Sequence, residues 1–244
     1  MNRQSIRQER SSARRMDKLA NLKVGDIITV EELLGNQEEG PSQLQWLRGK
    51  ESPFGMDVLD CRAFALHQMS TTADASIAES FVHNMASDGT VFIGTLPQNP
   101  ARIDIPFTFA LGQVQLNDGP VFVASQMEEK WNVYFFDRVL YFVRSWTGIL
   151  VHAVKCEIKD DALKVSSIVT SQESIDERDR TFPIREVFFL IVSHVLGKAY
   201  PHPVPSFIET EENRIALFSF SQYGRMGLFA SVPEAPPSER MGKT

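Results

Sequence analysis

Short runs of β-branched and aromatic residues alternate with turn residues through the middle of the chain. Five of these runs predict β-strands: Val121–Ser125, Trp131–Phe136, Val139–Arg144, Ile149–Ile158 and Leu163–Val169. Only a few residues separate one run from the next. Connections this short join antiparallel neighbours, because a parallel pair needs a longer crossover. The pattern therefore predicts an antiparallel β-meander of about five or more strands.

Two longer segments have helical spacing. In Ala75–Ser87 apolar residues recur on one face, and Thr72 or Asp74 can cap the first turn. Pro183–Leu196 is apolar nearly all round and is followed by Gly197. We expect this second helix to be buried across the apolar face of the meander. Together the patterns predict an α+β fold in which the meander packs against two or three helices.

Other segments give weaker signals. Arg214–Tyr223 has the spacing of a third helix. Val91–Thr95 and Ile103–Leu111 are predicted to be strands. Pro106 restricts the second of these to a sheet edge or a bulge, because proline has no N–H to donate. Two segments keep alternatives open: Asp57–Leu66, which fits a strand or a helix, and Asp26–Leu34, which fits a short strand followed by a helical turn.

The charge is unevenly distributed along the 244 residues, whose net charge is −6. Residues 1–23 carry a net charge of about +5 and the remainder about −11. We expect a basic N-terminal arm over residues 1–22, one α+β domain over residues 23–231 and a disordered tail over residues 232–244. The acidic body argues against nucleic acid as the partner.

Sequence motifs for membranes, metals and cofactors are missing from the chain. It has no apolar stretch long enough to span a bilayer and no secretory signal near its start. We therefore expect a cytoplasmic protein that makes no membrane contact. Two cysteines, Cys61 and Cys156, are too few for a disulfide scaffold. There is no phosphate-binding loop, and the five histidines lack metal-ligand spacing, so neither a metal nor a cofactor is expected.

The most distinctive stretch is the aromatic hairpin around the turn Ser145–Gly148. Arg144 closes an aromatic strand, and Trp146 lies in the turn that follows it. An arginine beside a tryptophan can stack on the ring, and the same pair can hold a planar or anionic ligand. Two interpretations stay open. Either Arg144 and Trp146 fix the hairpin to the core, or the turn belongs to a binding surface made by Arg144, Trp146, Thr147, Tyr141 and His152.

The same hairpin resembles a known motif. The pattern K-W-x-x-Y-F, followed by L-Y-F-x-R-S-W-T-G, is similar to one in bacterial domains that occur alone or beside ADP-ribosylglycohydrolase-type domains. The match covers about residues 130–158. It is carried by Lys130, Trp131, Tyr134, Phe135, Tyr141, Arg144, Ser145, Trp146, Thr147 and Gly148. The resemblance implies a shared hairpin and suggests ADP-ribose or a related nucleotide as a ligand class, but no catalytic residue.

These observations lead to three functional hypotheses. The first is a non-enzymatic binding module, in which Trp146, Tyr141 and Arg144 anchor a protein partner or a small anionic ligand. The alternative is an enzyme or accessory domain acting on a nucleotide-like substrate of the ADP-ribose type. Arg144 would then hold phosphate, while His152 or a loop carboxylate would move protons. Nucleic-acid binding through the basic arm is the least favoured hypothesis.

Overall fold

Residues 44–232 are the part of the chain that this computed structural model describes. The expected basic arm, the segment Asp26–Leu34 and all but the first residue of the expected tail lie outside them. The elements, in chain order, are β1 (Gln45–Leu47), β2 (Val58–Asp60), α1 (Arg62–His67), α2 (Ala75–Met85), β3 (Pro100–Ala110), β4 (Gly119–Phe122), β5 (Trp131–Phe136), β6 (Val139–Arg144), β7 (Leu150–Lys159), β8 (Ala162–Ser171), α3 (Phe182–Leu190), β9 (His202–Pro203), α4 (Glu212–Tyr223) and β10 (Phe229–Ser231).

The larger sheet contains six strands in the order β3-β8-β7-β6-β5-β4. All of its neighbouring strands are antiparallel. Five of the six form the meander predicted from sequence, and β5 and β6 have the expected bounds. Pro106 lies in an irregularity of the edge strand β3, between Asp104 and Phe107, as the missing N–H of proline requires. The predicted α+β class with an antiparallel sheet is therefore confirmed.

Two of the hairpins in this sheet close with two-residue turns. Asp137 and Arg138 join β5 to β6 with φ of 48° and 63°. Asp160 and Asp161 join β7 to β8 with φ of 54° and 58°. Positive φ at both central residues matches the right-handed twist of the paired strands. These turns therefore fix the register that sends alternate side chains to opposite faces of the sheet.

One face of the larger sheet packs on α3 and forms the main core. Val187, Phe189 and Leu190 of the helix are fully buried against sheet residues that include Trp131 and Phe142. This confirms the expected position of the apolar helix. The regular helix is shorter than predicted, because Ile191–Val195 forms a π-helical turn. There the Ser193 hydroxyl donates to the carbonyl of Phe189 (2.7 Å).

The opposite face of the larger sheet is covered by α2 and the segment that follows it, residues 86–97. Phe92 stacks on Tyr134 with ring centroids 5.6 Å apart, and the N–H of Gly94 donates to the Tyr141 hydroxyl (3.0 Å). We call residues 75–97 the covering layer. The prediction of a strand at Val91–Thr95 is wrong, because Thr90–Phe92 forms a 3₁₀ turn. The aromatic side chain of this turn, Phe92, packs on the sheet. The positive φ of Gly89 and Gly94 bends the backbone on either side, so that it cannot pair as a strand.

The smaller sheet was not predicted. Its strands have the order β1-β2-β10-β9, with β9 and β10 parallel and the other pairs antiparallel. The ambiguous segment Asp57–Leu66 contains both alternatives, since β2 ends at Asp60 and α1 begins at Arg62. Within residues 44–232, no helix has the length and apolar character needed to cross a membrane.

Candidate functional site

The turn between β6 and β7 is held between the sheet and the covering layer. The N–H of Ser145 donates to the carbonyl of Lys130 (3.1 Å), and the N–H of Gly148 donates to the carbonyl of Arg144 (2.9 Å). Gly148 has a φ of 68°, and a Cβ there would lie 2.8 Å from Oδ1 of Asn84 in α2. The positive φ favours glycine here, and a Cβ would also force the Asn84 side chain to move.

Arg144 binds the end of a helix. Its Nη1 donates to the carbonyl of Gln222 (2.9 Å) and its Nη2 to that of Ser221 (3.1 Å). The guanidinium also lies 4.7 Å from the ring centroid of Trp131, whose Nε1 donates to the same Gln222 carbonyl (2.8 Å). A cation at the last carbonyls of a helix stabilises the helix dipole. Arg144 therefore joins the hairpin to the end of α4.

The other four candidate residues do not share one surface with Arg144. Tyr141 is buried beneath the covering layer, whereas His152 is buried on the opposite face of the sheet and stacks on Trp131. Trp146 is half-buried, and its Nε1 donates to the carbonyl of Met127 (2.7 Å). Thr147 is exposed in the turn. The five residues therefore form no common binding surface in this conformation.

A buried carboxylate links α3 to the hairpin. Oε2 of Glu186 lies 3.0 Å from Nε2 of His152, and its Oε1 accepts a hydrogen bond from Nε2 of Gln222 (2.6 Å). Burial alone raises the pKa of Glu186, but His152, Gln222 and the nearby Arg144 outweigh burial and lower it. Glu186 is thus an ionised group enclosed by donors, a role that its position within an apolar helix did not reveal.

A second polar cluster surrounds Lys130, which belongs to the hairpin motif but was not among the predicted site residues. Its Nζ donates to Oγ of Ser70 (2.6 Å) and to the carbonyl of Met127 (2.8 Å). The same ammonium lies 4.2 Å from the Trp146 ring centroid and 5.2 Å from that of Phe220. Ser70 and Lys130 are 60 positions apart, so no local spacing could have paired them.

The backbone of this cluster is tightly packed against the chain after α4. The N–H of Arg225 donates to the carbonyl of Glu128 (3.0 Å). A Cβ at Gly224 would lie only 1.7 Å from the same carbonyl oxygen. Gly224 therefore sets how closely residues 128–130 can approach the end of α4.

Gly224→Ala should lower the free energy of unfolding by about 3 kcal/mol, the sum of a positive-φ cost and a steric overlap with backbone. Gly197→Ala is a matched control, because Gly197 also has positive φ (63°) but nothing lies within 4 Å of its Cβ position. This control should lose only about 1–2 kcal/mol. Urea unfolding of both variants measures the difference. Equal losses would show that the contact with Glu128 is unimportant.

Six large apolar side chains are exposed on the outer side of the covering layer and the adjacent turn. We call them the outer apolar patch: Val82, Met85, Val91, Ile93, Leu96 and Ile149. Their exposed fractions range from 42% to 69%. The inward side chains of the layer, such as Phe81 and Phe92, already pack against the protein. The patch is therefore not needed to build the core.

Within residues 44–232, no group of three or more His, Cys, Asp or Glu side chains could hold a metal ion. No family model matches the chain, and no curated protein and no solved structure matches it. Function is therefore inferred from the side chains themselves.

Proposed function

We propose that this chain is an interaction module that binds another protein through the outer apolar patch. The observation that carries the proposal is the exposure of six large apolar side chains, five on the covering layer and Ile149 in the adjacent turn. Single exposed apolar residues are ordinary, but several large ones in one part of the fold favour an interaction site. Cys61 and Cys156 are free thiols, which is consistent with placing this module in the cytoplasm.

The charge around the patch favours one kind of partner. Glu79 and Asp88 are exposed on the covering layer, and the exposed Asp74 directly precedes it. Opposite charges at an interface rim accelerate association and suppress wrong partners. We therefore infer that the partner presents an apolar segment flanked by lysine or arginine side chains.

The alternative of an enzyme acting on a nucleotide-like substrate has less support. In the nucleotide hypothesis Arg144 binds phosphate, but its Nη1 and Nη2 already donate to the carbonyls of Gln222 and Ser221. His152 is fully buried against Glu186. A nucleotide phosphate would therefore compete with the end of α4 for Arg144, and it could not reach the buried His152 without a rearrangement of the fold.

Photo-crosslinking from the patch identifies the partner and tests the proposal. A benzophenone amino acid is placed at Val91 in the full chain and irradiated in the native host, and the cross-linked protein is identified by mass spectrometry. The identified protein is then purified, and its affinity is measured by calorimetry. Val82→Asp with Val91→Asp should weaken the complex at least about tenfold, because each buries an unpaired charge.

Leu217→Asp is the matched control. Leu217 is 60% exposed on α4, which contacts the sheet face opposite the covering layer. This substitution should leave the affinity unchanged. Equal weakening by the control, or a cross-link from Val91 to a second copy of the chain or to its own basic arm, would contradict the proposal.

A further inference from the structure

Ser70 and Lys130 form a close pair between the segment that precedes α2 and the hairpin. Ser70 lies just before α2, and Lys130 directly precedes β5. Their Oγ and Nζ atoms are 2.6 Å apart. Ser70 is half-buried, whereas Lys130 is only 6% exposed. The serine therefore retains access to solvent while its lysine partner is withdrawn from it.

The surroundings of Lys130 favour its neutral, unprotonated form. Both hydrogen-bond partners of its Nζ, the Ser70 hydroxyl and the Met127 carbonyl, are neutral. Burial and the nearby positive charge of Arg144 lower the pKa of Lys130 to about 8, although Glu128 acts in the opposite direction. A substantial fraction of this amine is therefore unprotonated at mildly alkaline pH, as a general base must be.

We propose that Ser70 is a nucleophile, that Lys130 is its general base, and that the pair accepts acyl groups from small esters or thioesters. As Ser70 Oγ forms a bond to the acyl carbon, its proton moves to the neutral Nζ of Lys130. Collapse of the tetrahedral adduct breaks the bond to the leaving oxygen or sulfur, which takes that proton from Lys130. Water then attacks the acyl-Ser70 ester by the same route and releases a carboxylic acid.

Two neighbouring groups support this assignment. Oε1 of Glu128 accepts the backbone N–H of Ser70 (2.8 Å), which fixes the position of the serine. Nε of Arg225 is buried without a hydrogen-bond partner among residues 44–232. Arg225 is close enough to Glu128 for its charge to act on that carboxyl. A developing oxyanion requires free hydrogen-bond donors, and Arg225 approaches Glu128, the residue that holds Ser70.

Acetylation by p-nitrophenyl acetate tests the proposal on the full chain. Peptide mapping should find the acetyl group on Ser70, and the rate of acetylation should rise with pH through about 8, where Lys130 loses its proton. Ser70→Ala should abolish labelling at this position. Lys130→Met should slow it about 100-fold or more, since general-base catalysis contributes at least that much. Ser125→Ala, which removes an exposed serine hydroxyl bonded to Glu129, should change nothing.

Ser70→Cys keeps the test decisive if Lys130→Met does not fold. The neutral amine should take the thiol proton, so alkylation of Cys by iodoacetamide should be faster than that of a Ser125→Cys control at the same pH. Acetyl groups found only on Lys130 or on surface lysines would overturn the proposal. So would labelling of Ser70 at the rate of Ser125, or equal alkylation of the two thiols, and the pair would then be a structural contact.

Discussion

As the pH falls below 6.5, the free energy of unfolding should decrease steeply, because two fully enclosed histidines resist protonation. His194 contacts Oγ of Ser193 through Nδ1 (2.7 Å), and that hydroxyl donates to the Phe189 carbonyl. The histidine must therefore be the donor, with its proton on Nδ1. Its Nε2 is buried and has no partner within the described residues. Protonation of His194 would therefore place a charge and a second N–H group on Nε2, which has no acceptor there.

His202 repeats the arrangement with the nitrogens exchanged. Its Nε2 contacts Oγ of Ser219 (2.7 Å), which donates to the Ile215 carbonyl, and its Nδ1 is buried without a partner in residues 44–232. Burial lowers the pKa of His194 and of His202 from 6.5 to about 3. Both are neutral in the folded chain across the range in which they become charged in the unfolded chain.

The sign follows from proton linkage. Below pH 6.5 the unfolded chain binds more protons than the folded chain, so stability is fully present above 6.5 and is lost towards pH 3. Each histidine contributes a slope of up to about 1.4 kcal/mol per pH unit, and the two together about 2.7. Urea unfolding at a series of pH values between 7.5 and the acid transition measures this slope.

Conservative variants assign the slope to the two histidines. His194→Asn and His202→Gln preserve the donor nitrogen but cannot be protonated, so each should halve the slope. His83→Gln is the control, because His83 is exposed. A slope that is flat in the native chain, or equally steep in the double variant, would contradict the prediction.

Glu186→Gln should reduce the free energy of unfolding by about 3–5 kcal/mol, the usual cost of breaking a buried pair from one side. Glu186 offers one carboxylate oxygen to His152 and the other to Gln222, and its side chain is 3% exposed. Glutamine has a single acceptor oxygen, so one of these two donors would lose its partner at a buried position. Urea unfolding at neutral pH measures the loss.

Two comparisons separate burial from charge in this prediction. Glu177→Gln removes an ion pair with Arg180 whose carboxylate is 73% exposed, and it should cost less than about 0.5 kcal/mol. Replacing both partners, as in His152→Phe with Glu186→Met, should recover part of the loss.

The contribution of Glu186 to stability also depends on pH. Because the pKa of Glu186 lies below its ordinary 4.5, this contribution is full above pH 4.5 and disappears as the pH falls through the lowered pKa. An unchanged free energy of unfolding in the Glu186→Gln variant would contradict the prediction and show that the two donors find other partners.

The meander could be predicted because each of its strands carries its own pattern. Trp131–Phe136 and Val139–Arg144 are long enough to show the β-branched and aromatic composition that is typical of strands. The two turn residues between them mark the hairpin. The strands of the smaller sheet are only two or three residues long, which is too short for any period to emerge. Their pairing depends on contacts between distant parts of the chain, such as Phe229 with Asp60.

The candidate site was less predictable than the fold. The sequence singled out Arg144 and Trp146 for their chemistry, but their partners are backbone carbonyls of Gln222, Ser221 and Met127. Every residue has a backbone carbonyl, so composition and motifs cannot predict which carbonyls accept these hydrogen bonds. The Ser70–Lys130 pair shows the complementary limit, since neither residue is unusual until the fold places the two side chains together.

The two sheets also differ in when a growing chain can complete them. Every strand of the larger sheet lies between Pro100 and Ser171, so its hydrogen bonds close within one continuous stretch of synthesis. In the smaller sheet one edge of β2 must wait for β10, which is made after all the other described strands. Domains whose contacts are local form early during translation, whereas distant pairings come late. Thus β2 leaves the ribosome before every strand of the larger sheet but acquires its last neighbour only after that sheet has been made, and until then it presents an open edge to other chains.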